Sequence, residues 1–353
     1  MTPFTFTSDP VRVIFGSGTS AKIGDEIKRL GCARALVLTT PQQKADGAAL
    51  AAKLGALCAG TFHDATMHTP TDVTERAVAL AREVRADCTV ALGGGSTTGL
   101  GKAIALRTDL PQIVIPTTYA GSEATAIIGE TKDGVKVTQR TLKVLPEVIV
   151  YDVDLNMTLP AALTATSGMN AIAHAVEALY AQDQNPVTSM MAEEGIRAIA
   201  RALPVIMREP GNVEARSDAL YGAWLCGTCL NAVGMALHHK LCHTLGGSFD
   251  LAHADVHTVV IPHATAYNAA AAPDAMRRIA TALGAKDAAQ GLFDLAKRLG
   301  APTSLAAIGM KADAIDKAAD LAVKNPYWNP RPIDRAGIHR LIDNAFHGRQ
   351  PGA

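Results

Sequence analysis

The chain has 353 residues, of which 48% are hydrophobic and 19% are charged, and its 33 Lys and Arg residues balance its 33 Asp and Glu residues. This length predicts two domains, and the composition is that of a globular protein with a large core. A net charge of zero excludes the strong field that draws a whole protein to nucleic acid or to anionic membranes. We therefore expect neither as a partner.

The first residues, MTPFTFTSDPVR, show no basic start and no apolar block, and no apolar run approaches the roughly 20 residues that span a bilayer. We expect no signal peptide and no membrane-spanning segment. Six cysteines in a chain of this length do not make a disulfide framework. Cys226 and Cys229 form a C-x-x-C pair, but their apolar surroundings indicate the core of a helix. A reduced, cytoplasmic protein follows.

Short β-rich runs alternate with helical segments through the first part of the chain. The candidate strands are Val11–Phe15, Ala35–Thr39, Cys88–Leu92, Gln112–Ile115 and Val148–Tyr151, with a weaker one near Leu57–Phe62. Helical periodicity is clearest at Asp72–Arg85 and Thr98–Arg107. Apolar strands separated by helices predict a parallel, doubly wound α/β sheet that is covered on both faces.

The pattern changes near residue 159. Beyond it, strand signals nearly vanish, and Ala-, Leu- and Met-rich helical segments are punctuated by prolines, Pro204 and Pro262 among them. We therefore predict a nucleotide-type α/β domain over residues 1–158 and an all-α domain over residues 159–353.

A glycine-rich turn, Gly93-Gly94-Gly95-Ser96, directly follows a candidate strand and precedes a helix. Glycine lets a phosphate approach the backbone, and the free N–H groups at a helix N-terminus bind the anion. The turn matches neither the P-loop nor the G-x-G-x-x-G pattern, because Ala103 and Thr98 occupy positions that those patterns reserve for other residues. Its place at the end of a strand still predicts a phosphate contact.

A second glycine segment, Gly16-Ser-Gly18-Thr-Ser-Ala21, fits G-x-G-x-x-A after a strand. It lacks an acidic residue at the end of the next strand, where Thr39 and Thr40 stand, so the dinucleotide fingerprint is incomplete. A dinucleotide loop and a tight turn without a ligand both stay open here.

The segment PTTYAGSE, from Pro116 to Glu123, follows the strand at Gln112–Ile115 and so belongs to the same edge of the sheet as the glycine turn. The hydroxyl groups of Thr117, Thr118 and Ser122 can bind phosphate, ribose or a carboxamide. Taken alone, such residues more often cap loops.

Histidines cluster in the second half of the chain. Six of the eleven fall close together: His238, His239, His243, His253, His257 and His263. His239 and His243 lie one turn apart on a predicted helix, and Asn170 and His174 have the same spacing in SGMNAIAHAVEALY. Two polar pairs on otherwise apolar helices predict an active site in preference to satisfied core histidines.

Several of these motifs together resemble a known family. GGGST…GK, PTTYAGSE, TLPAALTATSGMNAIAHAVEALY and the ordered His239, His243 and His253 are similar to the iron-type, or group III, alcohol dehydrogenases. The resemblance extends over nearly the whole chain. It implies the dehydroquinate synthase-like fold, with a dinucleotide-binding domain followed by a helical catalytic domain, and it implies a homodimer.

One position departs from the metal-dependent members of that family, in which an aspartate opens a D-x-x-x-H motif and completes a metal site with three histidines. Asn170 stands in its place here, and a neutral amide is a poorer ligand for a divalent ion. This change, AGSEAT and the later NPRPI (Asn329–Ile333) resemble the maleylacetate reductase branch. We therefore expect no required metal. If a metal is bound, its expected ligands are Asn170, His174, His239 and His253.

Members of that branch reduce maleylacetate, and often chlorinated relatives, to 3-oxoadipate in aromatic degradation. The resemblance implies NADH or NADPH as the hydride donor and a small dicarboxylate keto acid as the substrate. His243 and His253 would stabilise the enolate or supply the proton, and His174 and His239 would complete the pocket. The expected cofactor contacts are Gly93, Gly94, Gly95, Ser96, Thr97, Thr117, Thr118, Ser122 and Thr40.

Two further expectations concern selectivity. Thr40 ends the second strand, where NAD-selective relatives tend to carry aspartate, so NADPH is expected to bind alongside NADH. The two substrate carboxylates need cationic partners, for which the candidates are Lys240, Arg331, Lys102 and Arg140.

Three alternatives to this function stay open. The first is a metal-dependent alcohol or polyol dehydrogenase in which Asn170 still coordinates. The second is a lyase of the dehydroquinate synthase type, which uses the nicotinamide only transiently. The third is a catalytically silent nucleotide-binding or scaffold protein, and the retained histidine order argues against it.

Overall fold

A computed structural model describes residues 4–133 and 135–352 of the chain. The chain forms two compact units. Asp9–Leu159 makes up one, and Pro160–Ala353 belongs to the other. The change from strands and helices to helices alone coincides with this division.

The first unit is built on a six-stranded parallel sheet. Its strands are β1 (Arg12–Gly16), β2 (Ala35–Leu38), β3 (Cys58–Phe62), β4 (Cys88–Gly93), β5 (Gln112–Pro116) and β8 (Val148–Asp152). Their order across the sheet is β1-β8-β5-β4-β2-β3. The predicted parallel α/β sheet is confirmed, and the weakest predicted strand is present as β3.

Helices cover both faces of this sheet. They are α1 (Ile23–Arg29), α2 (Lys44–Leu54), α3 (Thr71–Glu83) and α4 (Gly95–Thr108). Val37 of β2 packs in one apolar cluster with Ile27 and Leu50, whereas its neighbour Leu36 packs in another with Val78. Successive side chains of a strand point to opposite faces, so a strand covered on both faces is apolar throughout.

An antiparallel hairpin, which the sequence did not predict, follows β5. Its strands are β6 (Ile127–Lys132) and β7 (Val135–Arg140). Most described side chains of these strands are partly or fully exposed. The hairpin therefore lacks the continuous apolar run by which the central strands were recognised.

The described part of the second unit contains helices and no strand, as predicted. They are α5 (Ala161–Ala178), α6 (Pro186–Arg208), α7 (Val213–Ala232), α8 (Leu237–Phe249), α9 (His253–Asn268), α10 (Pro273–Leu283), α11 (Ala288–Arg298), α12 (Ala314–Ala322) and α13 (Arg335–His347).

Two of the prolines expected to separate helices lie inside them instead. Pro204 is within α6 and Pro262 is within α9. α9 is largely buried and α6 buries one apolar face, and this burial offsets the hydrogen bond that an interior proline removes. Within the described residues no single helix is long and apolar enough to span a bilayer, and only α7 and α8 together, bent by 97°, meet the length and composition required.

Candidate functional site

The glycine turn joins β4 to α4, and close contacts require glycine at two of its positions, Gly93 and Gly94. Gly93 has φ +151°, and a Cβ there would lie 2.4 Å from the Thr97 Oγ1 atom. A Cβ on Gly94 would lie 2.8 Å from the Thr118 Cγ2 atom. Ser96 and Thr97 form the first turn of α4, whose leading N–H groups have no partner within the helix. The turn is therefore tight, and the first N–H groups of α4 lie at its end. The phosphate contact expected there stays a prediction.

The segment that follows β5 lies beside this turn. Gly93 is opposite Pro116 in the sheet register, and the Thr117 N–H donates to the Gly93 carbonyl at 3.0 Å. Thr118 contacts Gly94, and Ser122 opens a short turn that ends at Ala124. The predicted hydroxyl-bearing residues are therefore gathered with the glycine turn at the carboxyl edge of the central strands.

Gln43 also belongs to this edge, although the sequence reasoning did not identify it. Its Nε2 donates to the Thr117 hydroxyl at 3.2 Å, and the Thr40 hydroxyl donates to its Oε1 at 3.4 Å. The side chain therefore links the end of β2 to the end of β5. The only available signal was its position shortly after the second strand.

Lys102 is not available to a substrate carboxylate, which corrects one expectation. It is fully buried, and its Nζ lies within 2.6–2.9 Å of four oxygens that belong to Ser122, Thr125 and Ile127. These acceptors outnumber its three N–H groups. Burial lowers the pKa of Lys102 to about 7. Lys102 instead ties α4 to the segment that contains Ser122.

The second glycine segment is occupied by the protein's own carboxylate. Asp152 accepts the Gly18 N–H at 3.0 Å and the Ser20 N–H at 2.7 Å. These are the groups that a phosphate would use. Of the two interpretations left open for this segment, the structure therefore favours a tight turn without a ligand.

In the helical unit, α5 presents three buried polar residues on one face. Asn170, His174 and Glu177 are spaced by four and three residues, which places them one above another. The Asn170 Nδ2 lies 3.5 Å from the His174 Nε2. Glu177 was present in the quoted motif but was assigned no role from the sequence.

The Glu177 carboxylate connects α5 to the start of α8. It accepts the N–H groups of Ala236 at 2.9 Å and of His238 at 2.7 Å, and it lies 2.6 Å from the His239 Nδ1. A negative charge at a helix N-terminus is favourable, and charged hydrogen bonds are the stronger ones. Because a carboxylate only accepts, the proton of the last bond is on His239 Nδ1. The His239 Nε2 then faces the His174 Nδ1 at 3.0 Å.

His243 and His253 complete the predicted cluster. His243 lies one turn beyond His239, with ring centroids 6.2 Å apart, and His253 begins α9 with its ring parallel to that of His243 at 6.5 Å. All four predicted histidines and Asn170 are therefore brought together. The structure also identifies Tyr327, whose hydroxyl lies 3.0 Å from the His243 Nδ1.

A second row of buried groups lies against this cluster. The His238 Nε2 and the His257 Nδ1 are 3.0 Å apart, and the Cys242 Sγ is 3.6 Å from the same His238 nitrogen. Burial lowers the pKa of both histidines and raises the pKa of the Cys242 thiol. The sequence placed these histidines in the cluster but gave them no role.

The other cationic candidates differ in their surroundings. Arg331 lies over the Tyr267 ring at 3.9 Å and donates to the Tyr267 carbonyl at 3.1 Å, so it has a structural role. Arg140 is exposed and lies 3.9 Å from the Asp9 carboxylate. Lys240 is half-buried on α8, directly after His239.

The contacts of Glu177 predict a large stability effect. Glutamine in E177Q places an NH₂ group against at least one of the three N–H donors that the carboxylate accepts. We expect the free energy of unfolding to fall by about 1.5–3 kcal/mol, the range for a hydrogen bond to a charged group. Urea unfolding measures this change. The control is E194Q, which removes an exposed ion pair with Arg197 and should cost less than about 0.5 kcal/mol. Equal stability of E177Q and the wild type would contradict the assignment.

Comparison with known proteins finds the same family in both parts of the chain. The iron-containing alcohol dehydrogenase family matches residues 10–153, and the C-terminal part of the Fe-containing alcohol dehydrogenase family matches residues 164–346. The maleylacetate reductase of Rhizobium sp. (strain MTP-10005) is 58% identical over 99% of this chain and 100% of its own length.

Two further relatives extend the comparison. The maleylacetate reductase of Burkholderia cepacia is 56% identical over 99% of this chain and all of its own. The crystal structure of maleylacetate reductase from Agrobacterium tumefaciens superimposes with a TM-score of 0.96 at 59% identity, covering 99% of this chain and 100% of that one. The chain therefore belongs to the iron-containing alcohol dehydrogenase family, on its maleylacetate reductase branch.

Proposed function

We propose that this protein reduces the C=C bond of maleylacetate, with NADH or NADPH, to give 3-oxoadipate during the degradation of aromatic compounds. The observation that carries the proposal is the histidine cluster with Asn170 in place of the family's aspartate, held in a chain 58% identical to a maleylacetate reductase along its whole length.

The glycine turn is proposed to hold the cofactor. The N–H groups of Gly95 and Ser96 at the start of α4 suit a pyrophosphate, and the hydroxyls of Thr118 and Ser122 suit the remaining polar groups. When bound, the reduced nicotinamide supplies the hydride.

We propose that the protein binds NADPH as well as NADH, because of the residue that follows β2. Thr40 stands there without a carboxylate, and its hydroxyl donates to Gln43. A 2′-phosphate would therefore meet no like charge from this residue.

The histidines are proposed to stabilise the enolate and to donate the proton. The alkene carbon β to the ketone gains a hydride, the electron pair of the C=C bond moves toward the carbonyl oxygen, and the α-carbon then gains a proton. His243 or His253 stabilises the enolate oxygen and supplies that proton. His174 and His239 provide a polar pocket that Glu177 fixes in place.

The family's metal fits this donor set poorly. In a neutral His239 with its proton on Nδ1, the Nε2 lone pair already accepts from the His174 Nδ1–H at 3.0 Å. The four expected ligand positions, Asn170, His174, His239 and His253, supply an amide and three imidazoles with no negative charge. We therefore propose that turnover does not require a metal.

Activity on chelator-treated protein tests this function. We expect rapid oxidation of NADH and NADPH with maleylacetate, measured at 340 nm, without added metal. H243A and H253A should each lower kcat by about 10²- to 10⁴-fold, the range for general acid catalysis, while the Kd for NADH is unchanged. H347A, at an exposed histidine of α13, is the matched control and should have full activity.

Three outcomes of that assay would contradict the proposal. Recovery only with iron or zinc would favour a metal-dependent dehydrogenase in which Asn170 coordinates. Product formation without net NAD(P)H oxidation would favour a lyase. Full activity of both H243A and H253A would remove the proton-donor role from these residues.

The proposed cofactor site predicts how a side chain added to the glycine turn changes the Kd for NADH. A Cβ in G94A meets Thr118 at 2.8 Å, so the turn must shift and its bonds to phosphate weaken. We expect the Kd for NADH to rise at least about 10-fold, equivalent to about 1.4 kcal/mol, in a fluorescence titration. In G24A the added Cβ meets Leu57 at an ordinary 3.5 Å, and Kd should not change. Equal Kd values for both variants would exclude this turn.

A homodimer in the cytoplasm is also proposed. β1 is an edge strand with Phe15 exposed, and an unpaired strand edge presents N–H and C=O groups with which a second chain can pair. All six cysteines are free thiols, as a reducing compartment requires. Sedimentation equilibrium should give twice the chain mass of 36.8 kDa, and a monomer mass would contradict the dimer.

A further inference from the structure

Tyr327 contacts His243, one of the two histidines to which the proposed function assigns the supply of the proton. Its hydroxyl lies 3.0 Å from the His243 Nδ1, and the two rings meet edge to face with centroids 6.2 Å apart. The residue is 37% exposed, and its ring contacts that of His243 on α8. Neither the sequence pattern nor the residue spacing points to this contact, because 84 residues separate the partners.

The segment that contains Tyr327 is fixed to the helix that contains His243. Two residues further on, the Asn329 Oδ1 accepts the N–H of Leu237, the first residue of α8, at 3.4 Å. Asn329 and Asn268 also exchange two side-chain hydrogen bonds, at 2.7 and 2.9 Å. Tyr327 is thus placed by backbone and amide contacts that do not depend on its own hydroxyl.

The hydroxyl restricts the protonation pattern of the imidazole. Burial and the negative charge of Glu177 raise the pKa of Tyr327, so the phenol keeps its proton at neutral pH. A neutral His243 can either accept the phenol proton at Nδ1 or donate an Nδ1–H to the phenol oxygen. The first direction is favoured because the phenol is the stronger acid and the imidazole nitrogen is the stronger base, and it leaves the imidazole proton on Nε2. An imidazolium has protons on both nitrogens and donates from Nδ1 to the phenol oxygen. In both forms Nε2 is a donor.

We infer that Tyr327 is a positioning residue for His243: its hydroxyl occupies Nδ1, selects the tautomer with the proton on Nε2, and fixes the ring so that the Nε2–H is the group presented to substrate. This inference rests on the proposed function for the use of that proton. The tautomer itself is a property of the free protein and is measurable without substrate.

Y327F tests the inference, because it removes the hydroxyl and keeps the ring. We expect kcat with maleylacetate to fall about 10- to 100-fold, as is typical when a group that orients an active-site residue is lost, with the Kd for NADH and the melting temperature unchanged. The solvent deuterium isotope effect on kcat should increase, since proton transfer becomes slower than the other steps. Y221F is the matched control: Tyr221 is a half-buried tyrosine of α7 whose ring packs near Trp224, and its activity should equal that of the wild type.

Long-range ¹H–¹⁵N spectra of histidine-labelled protein supply the second readout, with the His243 signals assigned by their loss in H243A. We expect the Nε2–H tautomer in the wild type and a mixture of tautomers in Y327F. An Nδ1–H tautomer in the wild type, or equal kcat values for Y327F and the wild type, would overturn the inference. If the wild type does not reduce maleylacetate, the proposed function is wrong. The tautomer of His243, measured without substrate in the wild type and in Y327F, still tests whether Tyr327 positions this histidine.

Discussion

A single desolvated carboxylate organises the polar interior of the helical unit. Glu177 has no exposed surface, and taking a charge out of water costs several kcal/mol unless it is well paired. Three N–H groups from the start of α8 surround it, which brings α5 and α8 together and fixes which nitrogen of His239 has the proton. The position of His174, and with it the shape of the cluster, follows from that arrangement.

The sequence predicted the parts of the fold whose signal is local. Strands covered on both faces are apolar throughout, a glycine turn follows the buried β4, and residues one turn apart share a helix face. The exposed β6 and β7 hairpin has no such signal, and it was missed. The same limit applies within the site. Glu177, Gln43 and Tyr327 act through partners 59 to 84 residues away, and no spacing rule links residues so far apart.

Two glycine segments that are similar in sequence differ in the side chains that bind their backbone N–H groups. The N–H groups of Gly18 and Ser20 are taken by Asp152, which is distant in the chain, whereas no hydrogen bond of that kind involves the described start of α4. Lys102 shows the same effect for charge. Its sequence position suggests a ligand for an anion, yet four oxygens of a neighbouring segment surround it. Local motifs state what a segment can bind, and the folded neighbours decide whether it is free to do so.

The burial of the thiols has a chemical consequence. An alkene conjugated to a ketone is an electrophile that thiolates attack, so the proposed substrate is a potential alkylating agent for the enzyme. Cys242 lies among histidine bases that would activate an accessible thiol, but its burial raises its pKa, as burial also does for Cys88, Cys226 and Cys229. Few thiolates form, and little solvent reaches them. The packing that holds the histidines in place thereby protects Cys242 from alkylation by the compound that the enzyme reduces.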